Sequence, residues 1–568
     1  MSKKSSVILT RGAYAQPGSS LSFRTGTWRV ERPVHVHHAA PCHAACPAGE
    51  DIQGWIALMQ EGNSRAAWEG LVTANPLPAV TGRVCPHPCE TACNRGGFDE
   101  AIGVHHLERY LGDMAIREGW DYPVPPLRAG GASIAVVGAG PAGLSASYHL
   151  RRLGYRVELF DDRPEAGGLL RAAIPMTRLP RSVLDAELER LLMPGINLHS
   201  HRRLGRDVSI QELQEDHAAL FLGPGIHRPK PWSVDGAIPS DMEDALHLLK
   251  GWVDHGDVPK PKSVAIHGGG NTALDLARVM KRAGVSDVCV ITASGLPGDA
   301  AADDVMHVVP RELDEAQEEG VVLYPHYTVQ RLLMHGSKLV GIEIVRLKKL
   351  VGADGARHRV PFEGTERVLD VDMVVPAIGE AVDAEGMEAL LEHADYLRGD
   401  VWGRLLGRDG VWVGGDARGD RGTVAAAVGD GTRAAIDIDR VLRDEPAPDA
   451  GAADLETIPL QAMNLHYYEH AARVPVQKVA VSERTDLTEI EGSMDAGQAR
   501  AEAGRCLACG NCLACDNCWT LCPDSAVLKT VERATDGSHY LFDYDYCKGC
   551  GICAEECPPG FIRMVPEA

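Results

Sequence analysis

The stretch Ser133-Ile-Ala-Val-Val-Gly-Ala-Gly-Pro-Ala-Gly-Leu144 constrains the chain more than any other. Its β-branched run, Ile134 to Val137, reads as a buried parallel strand. The run breaks into Gly138-x-Gly140-x-x-Gly143 and an Ala/Leu-rich helix follows. Gly138 permits a tight turn and Gly140 lets the backbone approach a pyrophosphate. Gly143 lets helix and strand pack closely, and the helix N-terminus faces the phosphates. A second strand, Arg156-Val-Glu-Leu-Phe160, ends at Asp161, where an acid can accept from ribose hydroxyls. A glycine turn alone is weak; strand, helix and acid in register predict a dinucleotide fold. A second fingerprint follows in Ser263-Val-Ala-Ile-His-Gly-Gly-Gly-Asn-Thr-Ala-Leu-Asp275. Gly268, Gly270, Asn271 and Ala273 are its expected nucleotide contacts, and Val288-Cys-Val-Ile291 is its second strand. Two such folds imply two nucleotides.

A chain of 568 residues holds several domains. Its net charge of −22 argues against nucleic acid and anionic membrane surfaces as partners. No apolar run reaches membrane-spanning length, and Met1 to Thr10 lacks a signal-peptide core, so a cytoplasmic protein is expected. Sixteen cysteines there are not a disulfide framework. Only Cys289 lies between two terminal groups, which is the pattern of metal binding.

In chain order, residues 1–130 read as a small helical iron–sulfur domain. Residues 1–41 are polar and irregular, and His35, His37 and His38 are expected in a solvated loop. Cys42-x3-Cys46-Pro and Gly82-Arg-Val-Cys85-Pro-His-Pro-Cys89-Glu-x-x-Cys93 follow, and a helix over 103–118 carries Glu108. Residues 131–242 and 370–445 form the first dinucleotide domain, and 243–369 the second. Gly410-Val-Trp-Val-Gly-Gly-Asp416 ends a late strand in a glycine turn, bringing Gly415, Asp416 and a helix N-terminus to the first cofactor. Residues 446–500 read as a linker. Residues 501–568 hold Cys512-x2-Cys515-x2-Cys518-x3-Cys522-Pro and Cys547-x2-Cys550-x2-Cys553-x3-Cys557-Pro. This doubled run predicts an α+β ferredoxin module with two 4Fe–4S clusters, the fourth cysteine of each run ligating the other cluster. Zinc is the alternative that the doubled spacing disfavours.

Together these motifs resemble the glutamate synthase small (β) subunit family. The matching pieces also include Pro164-Glu-Ala-Gly-Gly168, Ile174-Pro…Arg178-Leu-Pro180 and Ala377-Ile-Gly379, and the match covers roughly residues 40–445. The ferredoxin tail is similar to that of subunits of 2-oxoacid oxidoreductases. The resemblance implies an α/β architecture with two Rossmann-like domains of the disulfide-reductase type. It implies FAD in the first domain, with Gly168 and Arg178 among its contacts, and NAD(P)H in the second. Nicotinamide moves hydride and clusters move single electrons, and a flavin joins the two. No catalytic acid or base is expected, because none is needed.

The resemblance further implies a cluster nearest the flavin held by Cys46, Cys85, Cys89 and Glu108. The family's extra C-x2-C is absent here, its places being Val34 and His37. Cys42, Cys93, Cys506 and Cys509 are left over, and we expect them to hold a fourth, cross-domain 4Fe–4S cluster. The competing readings are a His37-ligated cluster or four free thiols. NADPH-using relatives carry Tyr-Arg-Arg where this chain has Thr292-Ala-Ser-Gly295 before the acidic loop Asp299 to Asp304. With no cation nearby in sequence, NAD(H) is the expected coenzyme. Expected partners are the other subunits of a thiamine-diphosphate 2-oxoacid oxidoreductase complex, or ferredoxin. A glutamate synthase-like assembly and a non-catalytic relay subunit are the alternatives.

Overall fold

The computed structural model describes residues 9–11, 23–128, 130, 132–234, 242–299, 304–351, 357–391, 395–419, 422–446, 456–485, 487–532 and 537–567. Two parallel sheets of like order organise the middle of the chain. In the first, the strands run Val411–Val413, Ala219–Leu222, Ser133–Val137, Arg156–Phe160, Ile196–His199. All neighbours in it are parallel. Ile134, Ala135 and Val136 are fully buried, as a sheet covered on both faces requires. The first strand in sequence is central, so the connections reverse direction beside it. That leaves a crevice outside the carboxyl ends of Ser133–Val137 and Ala219–Leu222, where open α/β sheets bind ligands.

The second sheet runs Val322–Pro325, Asp287–Thr292, Ser263–His267, Met373–Pro376, again parallel. Met373–Pro376, expected to open the return to the first domain, is therefore the fourth strand of the second sheet. The crossing comes later, where Glu380–Ala381 pairs antiparallel with Arg228–Pro229. An antiparallel hairpin, Tyr327–His335 with Lys338–Val351, extends from this domain and continues to Arg357–Pro361.

The N-terminal domain is built of short helices. Pro41–Ala45, Pro78–Val84 and Pro88–Thr91 each begin with proline, whose fixed φ suits the first helical position. Trp55, Trp68, Leu107 and Leu111 share one core with Leu184 and Leu188 of the first dinucleotide domain. A buried carboxylate joins the two units. Glu187 accepts from Ala79 N (2.8 Å) and Val80 N (2.9 Å), closing the N-terminus of Pro78–Val84.

Two expectations are corrected by long-range contacts. Residues 9–35 are not a solvated loop where they are described. Leu9–Arg11 pairs with Val527–Thr530, which pairs with Tyr540–Phe542. Glu31–His35 pairs with Ile562–Pro566, and the His35 ring stacks on Phe561. The start of the chain thus completes the C-terminal module. Pro33 sits within a two-stranded pairing, the edge setting that tolerates it. The residues from 456 to 500 that are described are a packed strap rather than a free linker. Glu489 binds Arg83 (2.7 Å) and Arg109 (3.0 Å), and Arg473 binds Glu90 (2.9 Å). Arg484 reaches Glu319 of the second dinucleotide domain (3.1 Å). Residues 447–455 of the expected linker lie outside the described residues. Among the described residues no helix is long and apolar enough to cross a membrane.

Candidate functional site

A cavity of about 670 Å³ opens at the crevice of the first sheet. It is lined by Gly138, Gly140, Asp161 and Asp416 of one domain, Asn271 and Asp275 of the other, and Val84 and Pro86 of the cluster domain. That volume is in the range of small-molecule and cofactor sites.

The glycines of the first fingerprint divide the labour expected of them. Gly138 has φ +95°, and a Cβ there would lie 2.1 Å from Gly223 O. A Cβ on Gly143 would lie 1.8 Å from Gly138 O, so helix and turn touch. On Gly140 it would meet nothing nearer than Gly168 Cα at 3.9 Å. The protein itself does not demand a glycine at 140; the space belongs to whatever the turn faces. Gly168, at φ +52°, lies directly across that space. The unusual Gly223-Pro-Gly225 supplies the backbone against which Gly138 turns, with Gly223 N donating to Val137 O (2.8 Å).

Asp161 sits at the end of its strand and accepts from Ala139 N (2.6 Å) and Arg163 N (2.9 Å). It therefore braces the fingerprint turn as well as facing the cavity. Gly415 has φ +70°, and its N–H donates to Asp430 (2.9 Å). Burial, aided by repulsion from Asp430, pushes the Asp416 carboxyl up to about 6. The helix Val424–Leu442 is capped by the Thr423 side chain, and its first turn borders the cavity.

The second fingerprint repeats the arrangement. A Cβ on Gly268 would lie 2.0 Å from Ala377 O, whereas one on Gly270 would meet nothing within 4 Å. Ala273 is fully buried against its sheet, and the Asn271 side chain accepts from Val309 N (3.0 Å). Arg178 borders the cavity but is committed elsewhere. It donates to both Asp275 oxygens (2.9 and 2.8 Å) and lies 2.9 Å from Glu312. Arg278 extends the buried ion network to Glu312, Glu315 and Glu319. Arg178 thus ties the two dinucleotide domains together.

The coenzyme loop differs from its sequence reading. Gly295 N donates to Asp304 O (3.0 Å), which draws the loop against Gly295. The hairpin beyond brings Lys349 (3.1 Å) and Arg359 onto the Asp304 carboxylate. Two cations invisible in local sequence therefore stand near this loop. Residues 300–303 lie outside the described residues.

Cys46, Cys85 and Cys89 converge at the ends of the proline-started helices. His87, at φ +49°, directs its N–H to Cys85 Sγ (3.3 Å). Burial pushes all three thiols up, and neighbouring carboxylates push the same way: Glu50 for all three, Glu108 for Cys46 and Cys85, Glu90 for Cys89. Such buried thiolates require a metal's positive charge. Glu108 is buried and accepts from Asn75 (2.8 Å) and Thr81, with His87 Nε2 at 2.7 Å. Burial pushes its carboxyl up to about 8. Glu50 was missed. It is buried beside Cys46, accepts from Asn75 (2.9 Å) and Trp55 (3.3 Å), and is likewise pushed up to about 8 by burial. Its only signal is its place four residues after Cys46-Pro, on the same tight turn.

Cys42, Cys93, Cys506 and Cys509 line one small cavity between the N-terminal domain and the segment before the first ferredoxin run. In the tail, Cys522, Cys547, Cys550 and Cys553 surround another. Cys518 lies among the charges of Cys557, Cys512 and Cys515. The cavity set thus combines three cysteines of the second run with Cys522 of the first, as the doubled spacing predicts. Cys289 is a half-buried strand residue whose thiol is pushed up to about 12 by burial and Asp287.

Residues 30–120 match dihydropyrimidine dehydrogenase domain II, 4Fe-4S cluster. Residues 132–431 match pyridine nucleotide-disulphide oxidoreductase, and 540–563 match the 4Fe-4S binding domain. The NADP(+)-dependent formate dehydrogenase subunit beta of Moorella thermoacetica is 33% identical over 509 residues, 83% of this chain and 70% of that one. The NADPH-Fe(3+) oxidoreductase subunit beta of Geobacter sulfurreducens is 32% identical over 543 residues, 86% of this chain and 78% of that one. The glutamate synthase [NADPH] small chain of Azospirillum brasilense is 30% identical over 442 residues, 73% of this chain and 89% of that one.

Proposed function

The chain belongs to the pyridine nucleotide-disulphide oxidoreductase family, as an iron–sulfur subunit of the glutamate synthase small-chain kind, and from that premise we propose its reaction. It exchanges hydride with a nicotinamide coenzyme at FAD and passes single electrons through its clusters to a partner subunit. The observation that carries this reading is the shared cavity. Both fingerprints face it, and Val84 and Pro86, on either side of Cys85, form part of its wall. FAD supplies the junction between two-electron and one-electron chemistry. The chain's own residues do the rest. Gly138, whose own N–H is spent on Phe160 O (2.7 Å), makes the turn, Gly140 and Gly143 let the backbone and a helix N-terminus face a pyrophosphate, and Asp161 and Asp416 take the sugar and ribityl side. Across the cavity Gly268 makes the corresponding turn, its N–H on Ile291 O (2.9 Å), and Gly270 and Asn271 face the coenzyme.

A dye-reduction assay on the isolated full chain tests this. Coenzyme-dependent reduction of a one-electron dye is expected; its absence with FAD bound would leave only a relay role. We keep NAD(H) as the preferred coenzyme. Lys349 and Arg359 are both held by Asp304, so neither offers a 2′-phosphate a bare charge. Comparing kcat/KM for NADH and NADPH decides it, and an NADPH preference, which the relatives' names carry, would assign those two cations to the phosphate.

The partner we infer is a 2-oxoacid oxidoreductase complex, supported by the appended ferredoxin tail. A formate dehydrogenase complex is the second reading, favoured because that relative matches 83% of this chain. Residence in the cytoplasm belongs to the same reading, since cluster thiolates persist in a reducing compartment. Glu108 is proposed as the fourth ligand beside Cys46, Cys85 and Cys89. A carboxylate is harder than a thiolate, so Glu108→Cys should shift that cluster's EPR signal. An unchanged spectrum would move the assignment to Glu50.

A further inference from the structure

We propose that Cys42, Cys93, Cys506 and Cys509 together hold one 4Fe–4S cluster that staples the C-terminal module to the N-terminal domain. The inference rests on the electron-transfer reading above and deepens it. Two pairs of thiols, more than 400 residues apart in the chain, line one cavity, together with apolar side chains such as Ile52, Ile56 and Leu507 and the polar Gln53, Asn94 and Arg95. Four thiols gathered at one site are the donor set a cluster takes, since thiolates brought together need a cation between them. Asn94 donates its amide N–H toward Cys509 Sγ (3.7 Å), a polar contact to one of the sulfurs.

Spacing separates a cluster from zinc. A zinc tetrahedron with bonds near 2.3 Å has sulfur–sulfur edges of about 3.8 Å. Among the described residues, the ligand atoms that converge within 4.8 Å of one another in threes are those of His105, His106 and Glu491. No three of these cysteine sulfurs lie within 4.8 Å of one another, so the set is not drawn in to a zinc tetrahedron. The His37 alternative also fails on position. Val34 is paired with Arg563 between strands, and the His37 ring meets the edge of Phe561. Neither residue lines the cavity.

The placement gives the site its role. Cys42 and Cys46 lie one helical turn apart, as do Cys89 and Cys93, so this set and the flavin-side set share two turns of backbone. Cys509 lies three residues before Cys512, the first ligand of the tail. The site therefore stands between the cluster beside the flavin and the ferredoxin pair. Each hydride delivers two electrons, and they cross it one at a time. No bond forms or breaks there, and the protons leave from the flavin side.

The test uses the full chain. The proposal requires about sixteen irons per chain, four per cubane. Cys42→Ser and the double change Cys506→Ser/Cys509→Ser should each lower this to about twelve and remove or shift the same EPR signal. Flavin reduction by coenzyme should persist in both, while the tail clusters are no longer reduced on the same timescale. His37→Ala should change nothing. The proposal is overturned by about twelve irons in the unaltered chain, by different signals lost from the two variants, by a signal lost from His37→Ala, or by stoichiometric zinc. The iron count of the unaltered chain decides even if a variant fails to accumulate. If instead coenzyme does not reduce the flavin of the unaltered chain, the underlying function fails while the iron count still judges the cluster.

Discussion

A Gly143→Val chain is expected to purify without flavin. Any Cβ at 143 would stand 1.8 Å from Gly138 O and 3.2 Å from a Val136 methyl. Neither can yield, because Val136 is fully buried at the centre of the sheet and Gly138 turns against Gly223. The helix Pro141–Arg152 must then lift from its strand, taking with it the N–H groups that face the pyrophosphate. Flavin absorbance at 450 nm per chain, a general property of flavins, is predicted to fall below about one tenth of the unaltered value, and coenzyme-dependent dye reduction with it. Gly140→Ala is the informative comparison. Its Cβ meets only Gly168 Cα, at 3.9 Å, so the fold should survive with an unchanged circular dichroism spectrum. The cost should fall on the ligand, raising the flavin dissociation constant by about tenfold or more, which is 1.4 kcal/mol. Normal flavin affinity in Gly140→Ala would mean that the pyrophosphate lies elsewhere.

Arg178→Met is expected to loosen the two dinucleotide domains from each other. The guanidinium is buried and offsets two buried carboxylates, Asp275 and Glu312. Removing one partner of a buried ion pair leaves an uncompensated charge and costs about 3–5 kcal/mol. The unfolding transition of the second domain should move to lower denaturant accordingly. Adding Asp275→Leu should restore part of the loss, because the stranded charge is then gone. A shift of less than about 1 kcal/mol in the single variant would mean that Arg278 alone satisfies the network.

The parts of this architecture that were legible in sequence are those written in short spacings. Gly138-x-Gly140-x-x-Gly143 specifies contacts within one turn, and each cysteine run sets three thiols in one short loop. The missed parts depend on chain segments that meet across hundreds of residues. Glu31–His35 has no marked alternation and contains a proline, yet Ile562–Pro566 gives it a partner. The strap around Glu489 and Glu491 is polar and reads as linker, but its carboxylates find Arg83, Arg109, His105 and His106. Met373–Pro376 was given to the wrong sheet because a buried apolar strand carries no mark of which sheet it joins. Lys349 and Arg359 reach Asp304 only because a hairpin folds back. Glu50 is a lone carboxylate in sequence, and only burial beside Cys46 sets it apart.

The central claim is that two electrons enter at one cavity and leave singly through the cysteine-bound clusters. An anaerobic titration of the full chain with NADH, and separately with NADPH, followed by absorbance and EPR, tests it most directly. Substoichiometric coenzyme is expected to bleach the flavin, and reduced 4Fe–4S signals are expected to grow as further coenzyme is added, two electrons being recovered per hydride. A flavin that stays oxidised with both coenzymes, or one that bleaches while clusters reducible by dithionite stay oxidised, would contradict it.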